Sequence, residues 1–158
     1  MNLLKTKKQQ RMPDSEKQIY FIEGEISPML IAETIEKQNS DFNIGAHSMF
    51  IGQVRNDFIN EKEVAAIDYS CYESMAADVL EQLIAGINNQ FQLSCVKVYH
   101  SLGRVAAGKI CLFVFVASKH RRNAIDGCSE LVERIKKELP VWGKEIFEDE
   151  NYEWKKNS

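Results

Sequence analysis

Three clusters of basic residues are spaced so that each falls at the end of a predicted element, where side chains can converge on an anion. Arg55-Asn56 follows an apolar run, and Lys119-His120-Arg121-Arg122 stands between another apolar run and a helical pattern. Lys136-Lys137 closes that helical pattern, and Lys144 follows beyond Pro140. The second cluster is the best suited to phosphate or carboxylate. A strand-to-helix junction leaves backbone N–H groups free at the helix start. Arg121 adds a bidentate fork, and His120 can donate a hydrogen bond or exchange a proton near neutral pH. A solvated basic turn would have the same composition. Lysines at a helix C-terminus also suit the dipole there. Lys136, however, follows Val132 by four and precedes Leu139 by three, so it borders the apolar face while Lys137 points elsewhere.

Other candidate groups carry less. His47 alternates with core residues and reads as a packed histidine; His100 could be packed or functional. Asp57, Asp68 and Asp126 are dispersed, which gives no carboxylate metal site. No glycine-rich phosphate loop occurs. Cys71, Cys95, Cys111 and Cys128 form no Cys-x-x-Cys pair and read as reduced, buried small hydrophobes rather than as a zinc site or disulfides. Trp142 and Trp154 read as core or interface anchors.

The elements that must position these groups follow from periodicity. Ile19–Ile26 reads as a strand, then Ser27-Pro28 as a helix start with Leu30, Ile31, Thr34 and Ile35 on one face. Gly45–Val54 is a strand, Arg55–Glu63 a mobile loop, and Val64–Cys71 another strand. Met75–Gln90 is an amphipathic helix. Ser94–Ser101 and Lys109–Ser118 are strands joined by a loop carrying Gly103 and Gly108. Arg122–Leu139 is a helix with Ile125, Cys128, Leu131, Val132, Ile135 and Leu139 inward, and Pro140 ends it. Val141–Phe147 and Tyr152–Trp154 form a terminal strand pair. Strands interleaved with about three helices predict an α+β fold.

At 158 residues, 44% hydrophobic and 27% charged, the chain has the composition of a soluble globular domain. Residues 1–17 are polar and basic and read as a disordered arm, with one domain over 18–158. The net charge is −3, and because the arm is basic the rest is more acidic still. That argues against general nucleic-acid binding. The longest apolar run, Ile110–Ala117, is too short for a bilayer, and no secretory leader pattern is present, so no membrane association and a cytoplasmic location are expected.

Five segments, in order, resemble the signatures of the molybdopterin synthase large (catalytic) subunit family. They are Gly45-Ala46 with Phe50-Ile51-Gly52-Gln53-Val54-Arg55-Asn56; Ile67-Asp68-Tyr69-Ser70-Cys71-Tyr72-Glu73-Ser74-Met75-Ala76; and His100-Ser101-Leu102-Gly103 with Gly108. The last two are Ser118-Lys119-His120-Arg121 with Ala124, and Lys136 with Leu139-Pro140-Val141-Trp142-Gly143-Lys144-Glu145 and Trp154. Order and spacing agree from about Ile19 to Trp154.

The resemblance implies an α/β-hammerhead-like fold, with mixed and antiparallel strands, in a homodimer within a heterotetramer. It implies a ubiquitin-like small subunit as partner, whose C-terminal Gly-Gly tail arrives as a thiocarboxylate. Sulfur then passes to cyclic pyranopterin monophosphate, and two transfers build the dithiolene of molybdopterin. No metal and no cofactor are implied. The family pattern assigns Arg55, His120 and Arg121 to substrate binding and Lys136 to catalysis. The family usually carries its catalytic lysine where this chain has Gly143, one residue before Lys144. Neighbouring strand residues face opposite ways, so Lys144 can serve only through a backbone shift or bulge. Two readings stay open at that point: a catalyst using Lys144, or a diverged, non-catalytic relative that still binds a ubiquitin-like tail. A small acylphosphatase-like hydrolase, suggested only by Gly52-Gln53-Val54-Arg55-Asn56, is a third reading from another class.

Overall fold

The computed structural model describes residues 18–156; the predicted basic arm over 1–17 lies outside them. The chain order is β1 (Phe21–Glu23), α1 (Pro28–Glu36), β2 (Ala46–Gln53), β3 (Phe58–Ile59), β4 (Lys62–Ser70) and α2 (Glu73–Phe91). It continues with β5 (Cys95–Ala106), β6 (Ile110–Ser118), α3 (Arg121–Glu138), β7 (Trp142–Phe147) and β8 (Tyr152–Trp154). This is the α+β class expected.

The sheet runs β2-β6-β5-β4-β7-β8, with β1 parallel to β5 and β3 paired to β4. Its other pairings are antiparallel. Strand β6 is buried on both faces, which explains its unbroken apolar run. Leu112, Val114 and Val116 face the main core, with Leu80, Leu83 and Ile87 of α2 and Leu131 and Ile135 of α3. Phe113, Phe115 and Ala117 face Ile26 and the α1 residues Leu30, Ile31 and Ile35. Among the described residues no helix is long and apolar enough to cross a membrane.

Helix α1 starts as read: Ser27 accepts the Met29 N–H at 3.2 Å, and Pro28 is the first helical residue. Several expectations are corrected. The first strand is three residues long, because Gly24 (φ +79°) turns the chain out of it. The segment read as a mobile loop holds a β3–β4 hairpin, closed by Asn60 and Glu61 with φ of 49° and 65°. His47 is exposed, not packed, although its ring meets Phe115 edge-on at 5.0 Å. It shares the uncovered face of the edge strand β2 with Met49 and Ile51. Ile125 is also exposed, because the buried stripe of α3 runs through Ala124, Cys128, Leu131 and Ile135. Trp142 and Trp154 are about half exposed.

The element that shapes the site is β5. Up to His100 it pairs with β6, and from Gly103 it pairs with β4. Gly103, at φ +73°, makes the change of direction. The loop expected there is therefore strand as far as Ala106. Where β5 changes partner the sheet opens, and the C-terminal turn of α3 lies against the opening with Lys136.

Candidate functional site

Two cavities meet at Lys136. A narrow one of about 60 Å³ is lined by Tyr69, His100, Ile135, Lys136, Leu139, Val141, Gly143 and Lys155. A wider cleft of about 330 Å³ is lined by Phe50, Ile51, Gly52, Gln53, Arg55, Tyr69, Cys111, Lys136 and Lys155. Tyr69, Lys136 and Lys155 border both. Each is held by a regular element: Tyr69 by β4, His100 by β5, Lys136 by α3, and Lys155 by the extension of β8. Pro140 follows the α3 C-cap Leu139, so the helix stops one turn past Lys136.

The groups differ in charge state. His100 is buried, and its ring Nδ1 lies 2.8 Å from the Ser101 carbonyl oxygen, which fits a proton on Nδ1. Burial, opposed by that hydrogen bond, with help from the Lys136 and Lys155 charges, pushes its pKa down from 6.5 to about 4. The imidazole is neutral at pH 7. Tyr69 packs edge-on against it at 5.1 Å between ring centres. Burial raises the Tyr69 pKa, and so do Cys111 and Glu145, so the phenol keeps its proton. Lys136 is exposed as a residue. Crowding of its ammonium and repulsion from Lys155 still lower its pKa, against a smaller opposing effect of Cys111. Glu145 is buried beside the same opening; burial pushes its pKa up while Lys155 pulls it down.

The residues singled out in the sequence are only partly brought together. Lys136 faces both cavities, as its spacing from Val132 and Leu139 requires, and Lys137 lines neither. Arg55 reaches the wider cleft from the end of β2, pinned there by Val54 N–H bonding to Lys109 O at 3.0 Å. Its exposed guanidinium also pairs with Asp57 at 2.9 Å.

Lys144 is elsewhere. Its ammonium lies 4.8 Å from the Tyr152 ring centre and 5.0 Å from that of Trp154, a cation–π clamp. The register Tyr69↔Gly143, Asp68↔Lys144 is unbroken, so no bulge at Gly143 turns Lys144 inward. His120 and Arg121 are exposed at the start of α3, where His120 is the N-cap without a side-chain cap bond. Fifteen residues separate Arg121 from Lys136, about 22 Å of helix. They do not line the Lys136 cavities of the same protomer.

Tyr69 and Lys155 were not picked out from the sequence, and His100 was left open between packed and functional. The facing of Lys155 is set by the register between β7 and β8. In the β7–β8 pair, Lys144, Ile146, Tyr152 and Trp154 share one face. Gly143, Glu145, Glu153 and Lys155 therefore share the other.

Likenesses to known proteins bear on the fold and family. The family model described as MoaE protein matches residues 25–138. The molybdopterin synthase catalytic subunit of Bacillus subtilis (strain 168) is 34% identical over 117 residues, 74% of each chain. The X-ray structure of molybdopterin synthase from Staphylococcus aureus superimposes with a TM-score of 0.77 at 27% identity, over 89% of this chain and 98% of that one. The complex of subunits 1 and 2 of molybdopterin-converting factor from Helicobacter pylori gives a TM-score of 0.74 at 20% identity, over 87% and 89% of the two chains, a likeness of fold. The chain spans 59% and 62% of the length of the catalytic subunits of Bos taurus and Rattus norvegicus that it matches. With one family model matched across α1 to α3, and a relative 34% identical over three quarters of both chains, this chain belongs to the MoaE protein family.

Proposed function

We propose that the chain is the large, catalytic subunit of a molybdopterin synthase. In this reading sulfur passes from the C-terminal thiocarboxylate of a ubiquitin-like small subunit to cyclic pyranopterin monophosphate, forming the molybdopterin dithiolene. The observation that carries it is the position of Lys136 where a narrow cavity opens into a wider cleft. The narrow cavity has room for roughly two waters, which suits a chain end without side chains, such as Gly-Gly. The wider one reaches the lower range of small-molecule pockets. A tail and a pterin would thus meet at Lys136.

The chemistry there needs positive charge and proton donors. A thiocarboxylate is anionic, and an ammonium orients it. When water adds to the acyl carbon to displace the sulfur, leaving the tail as a carboxylate, the carbonyl oxygen gathers negative charge, which a fixed ammonium stabilises. The Tyr69 phenol and the neutral His100 ring add polar groups that carry no charge to neutralise the anion. Arg55, which lines the wider cleft, would meet the substrate phosphate there.

His120 and Arg121 fit the reading through a second protomer. They are about 22 Å of helix from Lys136, so they complete a pocket only if a partner copy brings its α3 start to it. A homodimer, with a small subunit on each protomer, meets that need. The name of the B. subtilis relative, a catalytic subunit, supports a second kind of subunit as partner.

The test is reconstitution with thiocarboxylated small subunit and cyclic pyranopterin monophosphate, following dithiolene as its fluorescent oxidised derivative. Product well above the protein-free control is expected; its absence would overturn the reading. A second reading, a module that captures the tail without turnover, is favoured by Gly143 together with the outward Lys144. Tail binding without product would select it.

A further inference from the structure

We propose that Lys155 and Lys136 act together as a two-ammonium clamp that holds the anionic acyl end of the small-subunit tail where the two cavities meet. The proposal rests on the synthase reading and adds a residue to it.

Geometry is the first support. Lys155 is one of three residues that border both cavities, with Tyr69 and Lys136. Its backbone N–H donates to the Gly143 carbonyl at 2.8 Å, so the strand pairing of β7 and β8 continues to it and fixes its facing. Gly143 lines the narrow cavity without a side chain. A Cβ there would stand 3.0 Å from Ile67 and 3.4 Å from Tyr69, so the room beside Lys155 is kept by packing as well as by composition.

Charge is the second. Among the described residues neither Lys136 nor Lys155 has a carboxylate within ion-pair distance. Two like charges therefore border the same two cavities with no carboxylate paired to either. The repulsion is felt: Lys155 lowers the pKa of Lys136 and of His100. Glu145, the nearest buried carboxylate, has its pKa raised overall by burial. An anion held there would offset the repulsion that Lys136 feels from Lys155. A thiocarboxylate, or the oxyanion formed when water adds to its acyl carbon to expel the sulfur, is an anion of the right size for the narrow cavity.

The experiment uses the full chain in two arms. In reconstituted turnover, Lys155→Ala should lower kcat on the order of tenfold or more, with small-subunit affinity and Tm unchanged. Lys155→Arg should recover most of the rate. Lys156→Ala, which removes the same charge one residue along, should leave kcat unchanged. In the second arm the Lys136 side chain is titrated by NMR, and its midpoint should rise in Lys155→Ala. Turnover of Lys155→Ala within twofold of the parent, or equal losses in Lys155→Ala and Lys156→Ala, overturns the clamp while leaving the synthase reading intact. If the parent protein gives no product, the synthase reading fails by itself, and with it the clamp. An unmoved Lys136 midpoint overturns the clamp in either case.

Discussion

An ammonium crowded by neighbouring atoms and by a second ammonium gives up its proton more readily than one in water, and Lys136 is in that position. The groups that face it come from every side: His100 from β5, Tyr69 from β4, Cys111 from β6, Lys155 beyond β8 and Arg55 beyond β2. Lys136 was readable because a helix repeats every 3.6 residues, so its place beside Val132 and Leu139 is fixed by sequence alone. Lys155 was not, since its facing depends on the register between β7 and β8, which one strand does not reveal. His100 carries the clearest pH consequence. Its folded pKa of about 4 lies below the ordinary 6.5, so the unfolded chain binds more protons between those values. Stability is then complete above pH 6.5 and is lost as pH falls toward 4, by about 3 kcal/mol. Denaturant unfolding from pH 7 to 4 should show that loss, and His100→Leu should flatten it. An equal slope in the variant would contradict the neutral, buried imidazole.

At the scale of elements, most of the frame was legible and its bends were not. The three helices follow from apolar periodicity, and β6 from its apolar run. The segment around Gly103 looked like a hairpin loop because two glycines so close together usually mark a turn. Here Gly103 instead turns β5 from β6 onto β4 without ending it. That exchange of partners is a long-range property, invisible to local propensity. Gly103→Ala should destabilise the fold by about 1–2 kcal/mol, because φ of +73° is strained for any residue with a Cβ. A Cβ would also press on the Glu23 carboxylate of β1. Urea unfolding measures the cost; a change below about 0.3 kcal/mol would mean that the bend does not depend on glycine.

At the scale of the whole molecule, α3 presents the problem and suggests its solution. Its start carries His120 and Arg121, its end carries Lys136, and one protomer cannot apply both to one small substrate. Pockets shared across a dimer can. Mixing two variants, Lys136→Ala and Arg121→Ala, each expected to be nearly inactive alone, should then restore activity, since a mixed dimer regains one unaltered pocket. No gain on mixing, with subunit exchange verified, would confine each site to one protomer.

Lys136 is the residue on which the proposed chemistry most directly depends. Dithiolene formation should be measured with the parent protein and with Lys136→Ala, in the presence of thiocarboxylated small subunit and cyclic pyranopterin monophosphate. A loss of at least about a hundredfold is expected in the variant, with its unfolding curve and small-subunit affinity unchanged. Turnover equal to that of the parent would contradict it and remove the junction of the two cavities from the mechanism.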